Sequence, residues 1–267
     1  MNPHAPSLSD LLSVAMDAAY AGGRRTLAYF NTGVAVELKS DDTPVTCADR
    51  ESEQVIREYI ARYFPDHTIM GEEGELKEGS PDYRWIIDPI DGTKTFVSGV
   101  PLYGVLIGVE VRGEPAVGVL YLPALEEMIS AAAGLGCHWN GRRARVSEVA
   151  RLEEARVMVT SERAARARGP AYDRLAAATR WQRTWADCYG YALVATGRAE
   201  VMLDAMMHPW DCAPLLPILQ EAGGHFTTWA GEATIWGPDA VGTNAALHEA
   251  VLALLKEDAG RQTPDAS

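Results

Sequence analysis

Two aspartates three residues apart, Asp88 and Asp91, stand where an apolar run, Trp85-Ile86-Ile87, gives way to Pro89, Ile90, Gly92 and Thr93. Pro89 keeps Asp88 out of helical geometry and Gly92 permits a sharp turn, so the two carboxylates can converge on one point. If a short helix begins at that turn, the amides of Gly92 and Thr93 point outward and offer an anion site. Two carboxylates beside an anion repel it unless a cation lies between them, and a donor set made of oxygens selects Mg2+ or a similar hard ion over zinc. The cluster therefore reads as a magnesium-assisted phosphate site. Gly71-Glu72-Glu73 and Trp210-Asp211 lie far off along the chain and would supply the remaining carboxylates, enough acids for two or three metals. Alone, Asp-x-x-Asp-Gly is most often a surface turn. A calcium loop is disfavoured because its Asp-x-Asn/Asp-x-Asn/Asp-Gly spacing and closing Glu are missing, and no P-loop, His-Glu-x-x-His or Gly-x-Ser-x-Gly run is present.

Acids drawn from distant places need regular elements to hold them. Leu8, Leu11, Leu12, Met16, Ala19, Tyr20 and Leu27 recur with helical spacing behind Ser7-x-x-Asp10, which predicts a capped helix over 7–30. A second helix is predicted from Thr46-x-x-Asp49 to Pro65, with Val55, Ile56, Tyr59, Ile60 and Phe64 on one side. Short β-branched and aromatic runs at 67–70, 85–87, 105–111 and 116–122 then read as strands, with Asn140-Gly141 as a hairpin turn, and suggest an antiparallel meander. The second half alternates strands at 156–160, 201–203 and 225–228 with helices at 188–196, 211–222 and 244–256, and residues 257–267 read as a frayed tail.

The chain has 267 residues, 47% of them apolar and 23% charged, close to the globular average, so it can bury about three-quarters of its unfolded surface. Its formal charge of −13 argues against nucleic acid or an anionic membrane as partner. Cys47, Cys137, Cys188 and Cys212 are scattered without a Cys-x-x-Cys pair, which signals neither structural zinc nor a disulfide framework and suits a reducing cytoplasm. No apolar stretch reaches the ~18 residues of a membrane span. No long linker or repeat divides the sequence, so we expect a single unit over 1–267, of α+β or layered α/β class, with subdomains near 1–150 and 151–267 that share one core.

Gly71-Glu72-Glu73, Asp88-Pro-Ile-Asp-Gly-Thr93 and Trp210-Asp211, in that order, resemble the inositol monophosphatase superfamily of Mg2+-dependent phosphatases. Val45-Thr46-x-x-Asp49 upstream and Glu221-Ala-Gly-Gly224 downstream extend the likeness over residues 39 to about 231. The resemblance implies an αβαβα sandwich, a homodimer and a small phosphate ester as substrate. It implies that Glu72, Asp88 and the Ile90 carbonyl hold one metal, that Asp88, Asp91 and Asp211 hold a second, and that Glu72 serves a third. Asp49 and Thr93 would orient the attacking water, with Glu72 in the catalytic set and Gly92 and Thr93 at the phosphate. Gly92-Thr-Lys-Thr-Phe96 and the stretch Asp187 to Asp204 look more like the histidinol-phosphatase branch, which acts in histidine synthesis, than like inositol monophosphatases. Histidinol phosphate carries an ammonium and an imidazole, and Asp187 and Asp204 would suit that cationic end; Trp185 and Tyr189 are candidate walls for the ring, although aromatics at such positions are more often core. Inositol 1-phosphate, a 3′-phosphoadenosine nucleotide or fructose 1,6-bisphosphate are the alternative substrates, and a catalytically silent binding protein is the alternative of another class.

Overall fold

The computed structural model describes residues 5–40 and 43–256, so Asp41, Asp42 and the tail expected at 257–267 lie outside the described residues. Helix α1 (Leu8–Leu27) opens on Ser7, whose hydroxyl accepts the Asp10 amide while the Asp10 carboxylate accepts the Ser7 amide. A small hairpin, β1 (Val36–Leu38) and β2 (Pro44–Thr46), leads into α2 (Cys47–Tyr63), where Thr46 and Asp49 repeat the same reciprocal cap.

A seven-stranded sheet follows, formed by β3 (His67–Gly71), β4 (Ser80–Asp91), β5 (Gly104–Val111), β6 (Glu114–Leu122), β7 (Glu127–Ala132), β8 (Gly136–Trp139) and β9 (Arg142–Arg143), with the one-turn helix α3 (Thr93–Val97) after β4. The strands lie in chain order and pair antiparallel, except that β3 runs parallel to β4. Asn140 and Gly141 both take positive φ between β8 and β9, the conformation a two-residue hairpin needs.

The remaining elements are β10 (Arg156–Val159), α4 (Glu162–Ala167), α5 (Ala171–Ala178), β11 (Trp181–Arg183), α6 (Asp187–Ala195), β12 (Val201–Asp204), α7 (Pro209–Glu221), β13 (His225–Thr227), β14 (Ala240–Thr243) and α8 (His248–Lys256). Their five strands form a second sheet in the order β11-β10-β12-β14-β13, parallel across the first three and antiparallel beyond.

Side-chain alternation sets the layers. On β4, Trp85 and Ile87 join the Leu11, Ala15, Ile56 and Ile60 core beneath α1 and α2, whereas Ile86 joins Tyr191, Ile218 and Leu219 of α6 and α7 on the opposite face. The second sheet turns Met202 and Phe226 to α6 and α7, and Val157, Val201 and Val241 to α5 and α8. The result is a five-layer αβαβα sandwich, as expected.

Helix α7 sits unusually close to the first sheet because Gly108 and Gly118 lie opposite each other on β5 and β6; a Cβ at Gly108 would strike Ala213, and one at Gly118 the Pro214 carbonyl. Since α7 starts at Pro209, Pro214 lies in the second turn and leaves the Trp210 carbonyl without an amide four residues on. The close seat on the two glycines holds the helix there.

Candidate active site

The chemistry-bearing residues gather where β4 ends and α2, α6 and α7 begin. Asp88 leaves the strand beside Ile86, facing the middle helical layer, and its Oδ1 accepts the Ile90 amide at 2.9 Å. The register shifts between Asp88 and Asp91, and this irregularity turns the second carboxylate to the same side as the first. Asp91 Oδ2 accepts the Cys188 amide at 2.5 Å, tying β4 to the start of α6. Asp211 caps α7, its Oδ2 accepting the His208 amide at 2.8 Å. Carboxylate oxygens of Asp88, Asp91 and Asp211 lie within 4.8 Å of one another.

Such a group is poised for a cation. Burial, followed by the charges of Glu72, Asp91 and Asp211, pushes the Asp88 carboxyl well above the ordinary carboxylate range, and burial with Asp187 and Asp211 does the same to Asp91. Burial lifts Asp211 to about 7 against the stabilising His208 amide. Like charges held this close are neutralised by protons or by a metal, and three carboxylates fit a hard divalent ion. Glu72 stands outside this trio but acts on Asp88, while its Oε1 takes the Lys39 ammonium at 2.7 Å. The same ammonium reaches Glu73 Oε1 at 2.5 Å.

Asp49 divides its carboxylate between two tasks. Oδ2 accepts the Thr46 amide and hydroxyl at 2.8 and 2.7 Å, which leaves Oδ1 facing Thr93 Oγ1 at 3.4 Å. Thr93 Oγ1 also lies 3.2 Å from the Ile90 carbonyl. Gly92, at φ +81°, makes the turn into α3. Its missing side chain is required, because a Cβ would press on Asp187 Oδ2 at 2.7 Å. Gly92, Thr93, Ile90 and the acids at 72, 88, 91 and 211 line a cleft of about 430 Å³ with Lys39, Lys94, Met206, His208 and Trp210, and Asp49 lies buried behind Thr93.

Asp187 lines that cleft, and Asp204 lies beyond it in an adjoining recess. Thr95 Oγ1 donates to Asp187 Oδ2 at 2.5 Å, and the Asp187 amide donates to Thr160 Oγ1 at 3.0 Å. Tyr191 Oη donates to Asp204 Oδ2 at 3.0 Å, and burial pushes that carboxyl up to about 7 against hydrogen bonds from Thr160 and Tyr191. Both acids line a deeper recess of about 140 Å³, which shares Asp91, Thr160, Asp187, Met206 and Asp211 with the cleft.

Sequence reasoning missed Thr160 and Met206. Thr160 stands at a strand end and Met206 on the loop before α7, and neither belongs to a motif. Trp185 and Tyr189, expected as walls, line neither cavity: Trp185 is exposed at a positive φ, and Tyr189 packs on the core beneath Arg198. His208 is the residue before α7, and its ring stacks on Trp210 at 5.0 Å.

The sequence profile of the inositol monophosphatase family matches residues 7–259. The chain is 42% identical over 249 residues to the histidinol-phosphatase of Chlorobaculum parvum, covering 91% of this chain and 96% of that one. It is 38% identical over 228 residues to the histidinol-phosphatase of Mycobacterium tuberculosis, covering 82% and 87%. The solved structure of an IMPase from Thermotoga maritima superposes with a TM-score of 0.86 at 34% identity, covering 93% of this chain and 97% of that one.

Proposed function

Because this chain belongs to the inositol monophosphatase family and is a metal-dependent phosphatase, we propose that it hydrolyses L-histidinol phosphate to L-histidinol and phosphate, as a step of histidine synthesis. The observation that carries this reading is the meeting of Asp187 and Asp204 in a recess that opens onto the acidic cluster. A substrate with a phosphate at one end and an ammonium at the other would span from the cluster to these two acids, and the ammonium would be hydrogen-bonded and charge-paired there. Met206, His208 and Trp210 border the same cleft and offer surface to an imidazole. An inositol ring, neutral and rich in hydroxyls, brings no charge to pair with Asp187 and Asp204.

Asp88, Asp91, Asp211, Glu72 and the Ile90 carbonyl would hold the metal ions, taken as two or three Mg2+ on the strength of the all-oxygen donor set. Bound there, a divalent ion offsets the negative charge of the acids, attracts phosphate oxygens and makes water a better nucleophile. The chain's own groups do the rest. Thr93 Oγ1, between Asp49 Oδ1 and the Ile90 carbonyl, would fix the orientation of the attacking water, with Asp49 orienting the hydroxyl from behind. Gly92 and Thr93 would contact the phosphate from the turn into α3. Residues 1–150 and 151–267 would form one catalytic unit, assembled as a homodimer, with a cytoplasmic location suited to its four unpaired cysteines.

The test is phosphate release, with Mg2+ and with chelator, from histidinol phosphate, inositol 1-phosphate, a 3′-phosphoadenosine nucleotide and fructose 1,6-bisphosphate. We expect metal-dependent turnover with kcat/KM highest on histidinol phosphate. Asp187→Asn should cut kcat/KM on that substrate about tenfold or more relative to a generic phosphate ester, the loss expected for a charge-assisted hydrogen bond. Equal losses on both would remove Asp187 from recognition, and a preference for another ester would overturn the proposed substrate.

A further inference from the structure

One face of α2 is directed at the loops of the site. Asp49 reaches Thr93, Ser52 Oγ donates to the Pro89 carbonyl at 3.4 Å, and Glu53 lies under the turn that carries Glu72. Residues 49, 52 and 53 share a helical face, so a single element is aimed at two separate segments, the 89–93 stretch and the turn at 72–74.

Glu53 is 2% exposed and ionisable, a combination that needs partners. Its Oε2 accepts the Glu73 amide at 2.8 Å and its Oε1 the Gly74 amide at 2.9 Å. Arg57, one turn along, donates Nε to Oε1 at 2.6 Å and opposes the buried charge. The sequence of the turn fits around this carboxylate: a Cβ at Gly71 would occupy its place, and a Cβ at Gly74 would lie 2.6 Å from Oε1. Arg57 Nη2 is buried with no acceptor of its own among the described residues. The guanidinium is thus held for Glu53 at the expense of one of its own donors.

We propose that Glu53, set by Arg57, is a positioning residue: its carboxylate grips the backbone of Glu73 and Gly74 from beneath and thereby fixes where Glu72 presents its oxygens to the metal. Glu53 touches neither substrate nor the reacting atoms. The turn Gly71–Gly74 is otherwise short and polar, with Gly74 exposed, and the hydrogen bond from the Glu72 amide to the Ile87 carbonyl fixes only its near side. Two charge-assisted bonds on its far side hold the Glu72 backbone from both directions. The inference rests on the proposed role of Glu72 in the metal site.

Two variants reach the same contact from opposite sides. Glu53→Gln keeps the shape but places an amide NH2 against one of the two backbone donors. Gly74→Ala leaves α2 intact and pushes its methyl group onto Oε1 from an exposed loop where the fold has little to lose. Mn2+ affinity is measured directly, by the paramagnetic signal of the free ion, alongside the Mg2+ half-saturation and the substrate KM of turnover. Both variants should weaken Mn2+ binding about tenfold or more, within the range for groups that orient metal ligands, and raise the Mg2+ half-saturation in step. At saturating Mg2+ the substrate KM should stay near wild type, and thermal melting in chelator should show a folded Gly74→Ala protein. Wild-type Mn2+ affinity in both variants would overturn the proposal. A wild-type chain that binds Mn2+ but releases no phosphate would count against the proposed reaction alone, and the Mn2+ comparison would still decide the role of Glu53. A wild-type chain that binds no Mn2+ would remove both readings.

Discussion

At the scale of single residues, the site works by giving each carboxylate oxygen one occupation. Asp49 spends Oδ2 on the cap of α2 and keeps Oδ1 for Thr93; Asp91 spends Oδ2 on the Cys188 amide; Asp211 spends Oδ2 on the His208 amide. Carboxylate oxygens of Asp88, Asp91 and Asp211 converge. Thr93→Ala removes the hydroxyl between Asp49 and the Ile90 carbonyl, so kcat should fall about 100-fold with little change in KM, and the reverse pattern in steady-state kinetics would make Thr93 a binding group instead. Asp88, Asp91, Glu72 and Asp211 were legible because each sits in a short motif with its own turn chemistry. Glu53 was not, since nothing in an acidic residue at mid-helix announces that its partners are amides at 73 and 74, and Thr160 gave no signal beyond ending a strand.

At the scale of elements, the helices declared themselves through caps and apolar spacing. The observed α1 and α2 start at Ser7 and Thr46, as their capping boxes predict. Strands β5 and β6 read clearly as β-branched runs. Three kinds of element escaped the reading: β7, whose alanines carry little strand preference; α4 and α5, Arg- and Ala-rich pieces broken by Gly169-Pro170; and β1, β2, β11 and β14, too short for a period to form. The facing glycines on β5 and β6 belong to this scale as well, because only the packing of α7 gives them meaning. Gly118→Ala should force α7 away from the sheet, lowering stability by about 1–3 kcal/mol in urea denaturation. Because Asp211 rides on that helix, the same variant should weaken Mn2+ binding, and an unchanged metal affinity would detach the ligand from its seat.

At the scale of the whole molecule, one buried group links stability to pH away from the site. His67 at the start of β3 lies between Phe64 and Tyr83, with ring centroids at 4.6 and 4.4 Å, and its Nδ1 accepts the Trp85 indole N–H at 3.0 Å. Burial, with the nearby Lys77, lowers its pKa to about 4. A histidine so depressed takes its proton in the unfolded chain first. Its contribution is therefore intact above about pH 6.5, is lost as pH falls, and levels off below about 4, with a ceiling of about 3 kcal/mol. Urea midpoints of wild type and His67→Gln compared at pH 7 and pH 5 should differ in their pH dependence, and parallel curves would contradict the assignment. The molecule-wide architecture also bears on descent. The bond from the Cys188 amide to Asp91 joins a half that brings Glu72, Asp88 and Asp91 to a half that brings Asp187, Asp204 and Asp211. On the proposed roles, inheritance can treat the two sets of side chains separately: a lineage can exchange those at 187, 204 and 206 and acquire a new substrate while the acids that perform hydrolysis, Asp211 among them, pass down unaltered.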